Sequence, residues 1–353
     1  MLLIPKVAQN SSIEKIRPLR LIEILRKAIF GILKSRIQRV WERTGILSTH
    51  QYGFRPGRST RQPLLNMILT LQHALLCRRN YHAVFQDIRR AFDSVEVSLG
   101  KEMSMRRLGV PEFFITMMLE YDKAGQTEVV TAHGASSDIL GNEEGFFHPE
   151  RGFGQGTEEG PMGWGAFYDI LLTMVEQSNL PGYCLDDDLG NEEFTFGQVF
   201  ADDSAWLEQT AIHIAARCNI ANLFLKFMGV DLSIEKCVYV SLEWDDEGRP
   251  LFNQSGKMVM GDDGDFYVGD PVAITDVVMK TLELDESYIY LGVEITPDCS
   301  WEMMMSLIEE KTDVQAGALI KKSLSVEGAW MASQLVLKPQ VLYGAFFTNS
   351  MDE

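Results

Sequence analysis

Hydrophobic positions recur at helical spacing in several stretches of the chain. Between residues 19 and 43, apolar side chains recur every three or four positions, at Leu21, Leu25, Ile29, Ile32, Leu33, Ile37 and Val40. This periodicity predicts a long amphipathic helix. Comparable patterns predict further helices at about 61–78, 101–122, 161–178, 211–228 and 300–335.

Short apolar runs predict strands between these helices. "YHAVFQ" ends at Asp87, "VFADDSAWLE" (199–208) is predicted to form two short strands about a tight turn, and "YIYLGVEI" (288–295) is predicted to form one strand. Residues 243–287 carry turn signals and acidic clusters and are predicted to form a hairpin-like insertion. Strands that alternate with helices indicate an α+β domain.

Composition narrows the class of protein. The chain has 353 residues and five scattered cysteines without a C-x-x-C pair, which argues against a zinc knuckle or a disulfide framework. No run of about 18 apolar residues marks a membrane span, and the first residues are too weakly apolar for a secretory signal. We therefore expect a soluble intracellular protein without membrane partners, and leave open whether it is nuclear or cytoplasmic.

The charge distribution is uneven. The net charge is −18, but residues 1–120 carry 20 Lys and Arg against 9 Asp and Glu, whereas the remainder carries 12 against 41. This asymmetry predicts a basic surface built by the first third of the chain, which suits a nucleic-acid backbone. A solvated acidic surface with incidental basic helices is the alternative interpretation.

Paired carboxylates are the strongest chemical signal. Asp202 and Asp203 stand side by side between apolar flanks, and buried carboxylates are costly unless a positive charge compensates them. Mg²⁺ prefers such oxygen ligands, and Asp87, which also follows an apolar strand, is the best third candidate. Two metal ions held by these acids would suit phosphoryl displacement. A plain acidic turn, and a helix N-cap at Asp87, are the alternatives.

Seven motifs in order carry a family resemblance. They are "RPL", "QYGFRPGRST", "VFQDIRRAFDSV", "GFGQGTEEGPM", "FADD", "GVDLSIEKC" and "YLGVEI". This set resembles the reverse transcriptase domain of non-LTR retrotransposons, from about residue 15 to residue 345. The resemblance implies an α+β right-hand polymerase fold, with fingers and a palm whose antiparallel sheet is backed by helices, and a truncated thumb.

The resemblance also implies a division of the chain. Residues 1–80 would form basic fingers helices, and residues 81–298 would form the palm with a fingers portion and the acidic insertion at about 243–287. Residues 299–353 would begin the thumb or a connection.

Catalytic roles follow from the same resemblance. It implies that Asp87, Asp202 and Asp203 bind metal, with the carbonyl of Ile88 as a further ligand. It also makes Lys236 a candidate proton donor to leaving pyrophosphate; the alternative is an ordinary surface lysine.

Nucleotide binding is implied at a second group of residues. Arg17 would contact the triphosphate, and Phe92 would crowd a ribose 2′-hydroxyl while also serving as a core aromatic. Gln155 and Gly156 would lie near the incoming nucleotide, and Asp93 would have a structural hydrogen-bonding role.

Template and primer contacts are implied elsewhere. Arg55 and Arg58 would touch nucleic-acid phosphates, and Leu291 and Gly292 would lie near the primer end. The sequence departs from the family pattern at "QGTEEGPM", where two glutamates, at positions 158 and 159, are expected to place negative charge near the nucleic-acid track.

The function implied is RNA-directed DNA polymerisation. The expected cofactor is a pair of Mg²⁺ ions, with Mn²⁺ as a substitute, and the expected partners are an RNA template, a DNA primer and dNTP. Other parts of a retroelement protein are further possible partners, and the oligomeric state stays open. The alternative is a catalytically inactive or repurposed nucleic-acid-binding module, which the acidic balance and the short thumb favour.

Two other acidic clusters compete with Asp202 and Asp203. They are "GDDG" around Asp262 and Asp263, and "LDDD" at 185–188. Neither is expected to have apolar strands on both flanks, so both are predicted to be solvated loops.

Overall fold

The structure is a computed structural model, and it describes residues 2–5, 16–124, 130–131, 134–135, 151–187, 189–322, 325–339 and 341–343. The α-helices are α1 (Ile24–Thr44), α2 (Arg61–Cys77), α3 (Ala91–Ser94), α4 (Ser104–Arg107), α5 (Glu112–Ala124), α6 (Gly160–Glu176), α7 (Ala211–Phe227), α8 (Glu302–Ile320) and α9 (Val326–Ala332). Shorter helical turns are π-helical at Val97–Met103 and Ser333–Leu337 and 3₁₀ at Ile234–Lys236.

The strands follow the chain from β1 to β17. They are β1 (Leu2–Pro5), β2 (Ile16–Leu19), β3 (Tyr81–Gln86), β4 (Val130–Thr131), β5 (Gly134–Ala135), β6 (Tyr183–Asp186), β7 (Glu192–Thr195), β8 (Gly197–Phe200), β9 (Asp203–Glu208), β10 (Val238–Trp244), β11 (Pro250–Phe252), β12 (Lys257–Met260), β13 (Phe266–Gly269), β14 (Val277–Val278), β15 (Lys280–Thr281), β16 (Tyr288–Tyr290) and β17 (Val293–Ile295).

A central sheet organises the molecule. Its strand order is β11-β10-β3-β9-β8, with neighbours antiparallel, and β15 joins β10 in parallel. Because side chains alternate along a strand, the two faces bury different residues. Val84 and Trp206 pack in a core with α6 and α7, whereas Phe85 and Leu207 pack in a second core with α2. This architecture confirms the predicted α+β fold with an antiparallel sheet backed by helices.

Helix boundaries differ from the sequence prediction at three places. Helix α1 begins at Ile24 rather than at residue 19, because the chain up to Leu19 forms β2 against β1. The stretch predicted as one helix at 101–122 is interrupted at Gly109, whose φ is +69°, and Pro111. The predicted helix at 300–335 ends at Ile320 and is followed by the separate α9.

The single strand predicted at 288–295 is wrong. The segment is a hairpin in which Tyr290 pairs with Val293, and the two residues between them form the turn. Leu291 and Gly292 have φ values of +49° and +87°. Two consecutive left-handed residues are typical of the tight turns that join antiparallel strands.

The acidic insertion is built from short strands, as predicted. Strand β12 pairs with β13 and β14, and Met258 and Phe266 pack into the core that contains α7. Strands therefore flank Asp262 and Asp263 on both sides, and the expectation that apolar strands are missing there is wrong. Asp188 of the third acidic cluster lies outside the described residues.

Buried ion pairs join α1 to later elements. Arg26 Nη2 lies 2.6 Å from Glu159 Oε1 and 3.3 Å from Asp122 Oδ1, and Lys101 Nζ lies 2.5 Å from Asp122 Oδ2. Glu159, Asp122 and Lys101 are all buried. Burial tends to raise the pKa of the Asp122 carboxyl, but the adjacent cations hold that pKa below its usual range.

These pairs correct one expectation about charge. Glu159 is bound to Arg26, and Glu158 Oε2 lies 2.7 Å from Lys34 Nζ. Basic residues of α1 therefore compensate both glutamates, and neither adds an unpaired negative charge to a nucleic-acid track.

In the described segments, no helix combines the length and the apolar character needed to cross a bilayer.

Candidate active site

Asp202 and Asp203 lie at the tip of the β8–β9 hairpin. Phe200 pairs with Asp203, so Ala201 and Asp202 form the turn. Ala201 has a φ of +61°, a conformation that is disfavoured for a residue with a Cβ atom. Trp164 Nε1 donates a hydrogen bond of 2.8 Å to the Ala201 carbonyl, which anchors this turn to α6.

Asp87 lies beside this turn because of strand register. Gln86, the last residue of β3, pairs with Ser204 of β9. The next antiparallel pair is therefore Asp87 and Asp203, which places both at the same edge of the sheet. The Asp87 carbonyl accepts a hydrogen bond of 2.9 Å from the Ser233 amide, which fixes the chain where it leaves β3.

Lys236 brings a positive charge to the same edge. Its Nζ donates a hydrogen bond of 2.8 Å to Asp87 Oδ2. The lysine is the last residue of the 3₁₀ turn at 234–236, and an isolated bridge between Ile88 and Leu232 holds the preceding chain against the end of β3. Four residues from three separate motifs thus meet at one place.

The site carries excess negative charge. Burial and, after it, the charges of Asp202 and Asp87 together raise the pKa of Asp203 to about 6, against the lowering effect of Lys236. A carboxyl whose pKa is raised in this way is poorly compensated by its surroundings, so a cation bound beside it would relieve the repulsion.

The donor set suits a hard divalent cation, although the acids are not arranged as a finished metal site. Within the part of the chain that the structure describes, no three His, Cys, Asp or Glu side chains converge closely enough to hold an ion. Asp87 is instead paired with Lys236. Carboxylates at one sheet edge fit Mg²⁺, and binding there would require Asp87 to exchange the ammonium for the ion.

Phe92 packs in an aromatic cluster near the acids. Its ring stacks on Trp164 with centroids 5.1 Å apart and meets the Phe54 ring edge-on at 5.7 Å. The core role anticipated for Phe92 is therefore present, and its role in sugar selection stays a prediction.

Gln155 and Gly156 lie in a tight loop before α6. Gln155 Nε2 donates to Asp93 Oδ2 at 3.1 Å, and the Gln155 carbonyl accepts from the Arg20 amide at 2.8 Å. A Cβ atom on Gly156 would lie 2.7 Å from the Arg20 carbonyl oxygen, so only glycine fits without a shift. Asp93 has the hydrogen-bonding contact expected of it.

The predicted arginines differ in their surroundings. Arg17 lies in β2, and its side chain is outside the described residues. Arg55 forms a bidentate pair with Glu42, with both N–O distances at 2.8 Å, and donates to the Ser48 carbonyl. Arg58 donates to the Thr49 carbonyl at 2.5 Å. Arg55 and Arg58 therefore organise their own loop, and their contact with phosphates stays a prediction.

Leu291 and Gly292 stand at the β16–β17 turn close to the acids. The Leu291 carbonyl accepts a hydrogen bond of 2.8 Å from the Tyr343 hydroxyl. The rings of Tyr288 and Tyr290 pack on Phe85 of β3, with centroids 4.7 and 5.2 Å apart, two positions before Asp87. Burial, and after it the charge of Asp203, raise the pKa of both tyrosines. Their proximity to a primer end stays a prediction.

Sequence reasoning missed the residues that support the acidic turn. Besides Trp164, these are Gln51, whose amide bonds to both main-chain groups of Ala201, and Tyr168, whose hydroxyl lies 2.5 Å from Ser204 Oγ. A buried glutamine inside a Gly- and Ser-rich loop has no periodic signal. The apolar pattern of α6 indicates that Trp164 and Tyr168 are buried, but it does not indicate that they contact this particular turn.

An antiparallel sheet that is backed by helices and presents three aspartates at one edge is typical of the palm of nucleic-acid polymerases. The family profile described as reverse transcriptase (RNA-dependent DNA polymerase) matches residues 4–295, and the chain belongs to that family.

Curated relatives are proteins of transposable elements. The Retrovirus-related Pol polyprotein from type-2 retrotransposable element R2DM of Drosophila melanogaster is 23% identical over 295 residues, which cover 83% of this chain and 24% of the relative. The Probable RNA-directed DNA polymerase from transposon X-element of the same organism is 28% identical over 121 residues, covering 34% of this chain and 13% of the relative. The chain thus spans a quarter or less of the length of these relatives. The predicted resemblance to retrotransposon reverse transcriptases is confirmed.

Solved telomerase structures are similar at a lower level. A telomerase from Candida tropicalis in complex with a fragment of telomeric RNA has a TM-score of 0.45 and 11% identity, over 94% of this chain and 48% of that one. The corresponding Candida albicans structure has a TM-score of 0.41 and 12% identity, over 93% and 48%.

Proposed function

We propose that the chain catalyses RNA-directed DNA synthesis, in which a primer 3′-hydroxyl attacks the α-phosphate of a dNTP opposite an RNA template. The observation that carries this proposal is the meeting of Asp87, Asp202 and Asp203 at one sheet edge, with the pKa of Asp203 raised to about 6. Family membership supports the same reaction.

Asp87, Asp202 and Asp203 are the residues that would hold two Mg²⁺ ions, with the carbonyl of Ile88 as a further ligand and Mn²⁺ as a substitute. Such ions, when bound, stabilise negative charge on the attacking and leaving oxygens. The protein's own contribution is the placement of the acids by strand register and by the anchored turn, since positioning and electrostatics dominate phosphoryl transfer.

Lys236 serves as proton donor to the leaving pyrophosphate in this proposal. Its ammonium lies 2.8 Å from Asp87 Oδ2, so the proton is held at the edge where the reaction would occur. The lysine side chain is 63% exposed, which leaves it free to follow a departing group.

The nucleotide would enter between the loop that carries Phe54 and the loop that carries Gln155. Phe92 would exclude a ribose 2′-hydroxyl, because its ring is fixed between Trp164 and Phe54 and cannot easily yield. Gln155 and Gly156 would form a wall with close backbone approach, and Arg17 would contact the triphosphate.

Template and primer would lie along the fingers and the acidic edge. Arg55 and Arg58 would contact nucleic-acid phosphates. Leu291 and Gly292 would lie near the primer end. Arg55 would act mainly by holding α1 and its loop in place, because its guanidinium is committed to Glu42.

Primer extension tests this function. Purified protein is incubated with poly(rA)/oligo(dT), Mg²⁺ and labelled dTTP, with labelled UTP in a parallel reaction. We expect incorporation of dTTP, little incorporation of UTP, and loss of activity in Asp202→Asn. Retained RNA binding without incorporation in Mg²⁺ or Mn²⁺ would overturn the proposal in favour of a binding module, as would full activity of Asp202→Asn.

A further inference from the structure

A segment of the fingers completes the edge of the central sheet. Gln51 pairs with Val199 of β8 in a parallel bridge. The Val199 amide donates to the His50 carbonyl at 2.9 Å, and the Tyr52 amide donates to the Val199 carbonyl at 2.8 Å. This edge segment, residues 50–52, therefore runs beside β8 toward the acidic turn.

The Gln51 side chain binds the acidic turn directly. Its Oε1 accepts hydrogen bonds from the Ala201 amide at 3.0 Å and the Gly53 amide at 2.8 Å, and its Nε2 donates to the Ala201 carbonyl at 3.2 Å. Gln51 is 2% exposed, so water does not compete for these bonds. The amide thus satisfies both main-chain groups of the residue that precedes Asp202.

Gly53 allows the close approach of the two segments. A Cβ atom at Gly53 would lie 2.1 Å from the Ala201 nitrogen and 2.7 Å from the Ala201 Cα. The contact is to backbone, which cannot rotate away. Gly53 does not have a positive φ, so space and not conformation requires glycine at this position.

Both sides of the edge segment are fixed to other elements. On one side, the Ser48 amide donates to Asp169 Oδ1 of α6 at 2.7 Å. On the other, Arg55 is paired with Glu42 of α1 and also donates to the Gln51 carbonyl at 3.3 Å. The glutamine amide is consequently a rigid support rather than a mobile contact.

We propose that Gln51 is a positioning residue that holds the Ala201 turn in its left-handed conformation and so sets the placement of Asp202 and Asp203 for metal binding. The inference rests on the proposed function and names the device by which the fingers fix the acids of the palm. Gln51 itself does not touch a reacting atom in this scheme.

Two variants test the inference by different routes. Gln51→Met removes the amide and keeps the side-chain length, and Gln198→Met is its control, because Gln198 is equally buried on β8 but makes no hydrogen bond to the turn. Gly53→Ala keeps the amide but displaces the turn, and Gly165→Ala is its control, because a Cβ atom there meets open space.

Binding of Mn²⁺ alone, measured by calorimetry without nucleic acid, is the first readout. We expect Gln51→Met and Gly53→Ala to bind Mn²⁺ at least about tenfold more weakly than the native protein, because small displacements of ligands cost much of the interaction. In primer extension, kcat falls and the Mg²⁺ concentration for half-maximal rate rises, while KM for dTTP changes by less than about threefold. Both controls stay near native values, and circular dichroism establishes that each variant is folded.

The outcomes separate this inference from the proposed function. Native Mn²⁺ affinity and extension in folded Gly53→Ala, or equal losses in Gln198→Met and Gln51→Met, would overturn the positioning role. If Gln51→Met does not fold, the comparison of Gly53→Ala with Gly165→Ala decides the matter. Undiminished extension by Asp203→Asn would instead overturn the proposed function.

Discussion

Two acidic turns of similar sequence lie in very different surroundings. The first turn, "FADDSAW", joins β8 to β9, and the second, "MGDDGDF", joins β12 to β13. In the second turn, Asp263 Oδ1 accepts a hydrogen bond from the Asp265 amide at 3.0 Å, and the Gly264 amide donates to the Gly261 carbonyl at 2.8 Å. Asn222 and Lys226 of α7 donate to the Gly264 carbonyl at 2.7 and 3.0 Å, and the Thr275 hydroxyl donates to Asp262, so distant residues hold the backbone of this turn but no third carboxylate among the described residues faces its acids. Asp262 and Asp263 are exposed to solvent.

The first turn depends on residues far away in the chain. Gln51 and Trp164 hold its backbone, and Asp87 faces it across the sheet with Lys236 attached. The comparison shows that an Asp-Asp pair at a hairpin tip is not by itself a site. The chemistry arises where other elements bury the pair, add a third carboxylate and fix the turn.

The largest contrast is expected in catalysis. Asp203→Asn should reduce Mg²⁺-dependent incorporation of dTTP by about 10³-fold or more, because a metal-binding carboxylate is lost. Asp263→Asn should stay within about twofold of the native rate, since the Asp263 carboxylate is exposed and bonds within its own turn. Rates of primer extension measured side by side check this, and equal losses in both variants would contradict the distinction.

A smaller contrast is expected between two exposed lysines, Lys236 beside the first turn and Lys257 at the end of β12 that lies away from the second turn. Lys236→Met should lower kcat by about 10²-fold, the usual contribution of a positioned proton donor, and should alter stability by less than about 1 kcal/mol because the pair with Asp87 is largely exposed. Lys257→Met, on an exposed position of β12, should change neither quantity measurably. Single-turnover extension and urea unfolding provide the two measurements, and a kcat for Lys236→Met equal to that of Lys257→Met would remove the proton-donor role.

The pH dependence of stability sharpens the comparison further. In metal-free protein the pKa of Asp203 is about 6, whereas an unfolded aspartate ionises near 4. The folded state therefore binds a proton more tightly between these values, and the free energy of unfolding should fall as pH rises from about 4 to about 6, by about 1–3 kcal/mol.

Asp203→Asn should abolish this fall and should stabilise the metal-free protein at neutral pH by a similar amount, whereas Asp263→Asn should leave the slope unchanged. Urea unfolding from pH 4 to 7 in the presence of a chelator measures the free energy of unfolding of each variant as a function of pH. A slope that persists in Asp203→Asn would assign the titration to another group.

The smallest effect is expected in the second turn itself. Asp263→Ala removes one exposed hydrogen bond to the Asp265 amide, which water can replace, so the loss of stability should not exceed about 0.5–1 kcal/mol. Thermal unfolding measures it. A loss of several kcal/mol would mean that the Asp263 carboxylate, and not only the Gly264 carbonyl held by α7, anchors this turn.

Elements with strong local signals were predictable from the sequence. Helix α2 was predicted at 61–78 and lies at Arg61–Cys77, and the two strands around Asp202 follow the predicted pattern. The apolar positions that recur along α2, β8 and β9 are the positions that are buried in the cores on either side of the sheet. The acids themselves could be proposed because carboxylates between apolar flanks need an explanation in any fold.

Features that depend on distant partners were not predictable in the same way. The charge of Glu159 is cancelled by Arg26, which lies 133 positions away, and the sequence alone does not pair them. The turn at Leu291 and Gly292 lacks the usual Asn-Gly signature, so an apolar run concealed a hairpin. Gln51 acquires its role only because α6 and β8 bring Ala201 to it.

The ion pairs beneath α1 limit how the molecule can be dissected. A cut at the predicted boundary after residue 80 would separate Arg26 from Glu159 and Asp122; the buried Glu159 carboxylate would lose its partner, while Asp122 would keep only Lys101. Removal of one partner from a buried pair is strongly destabilising. Expression of residues 81–353 alone should therefore give an aggregating or unfolded product, and biophysical work needs both regions in one chain.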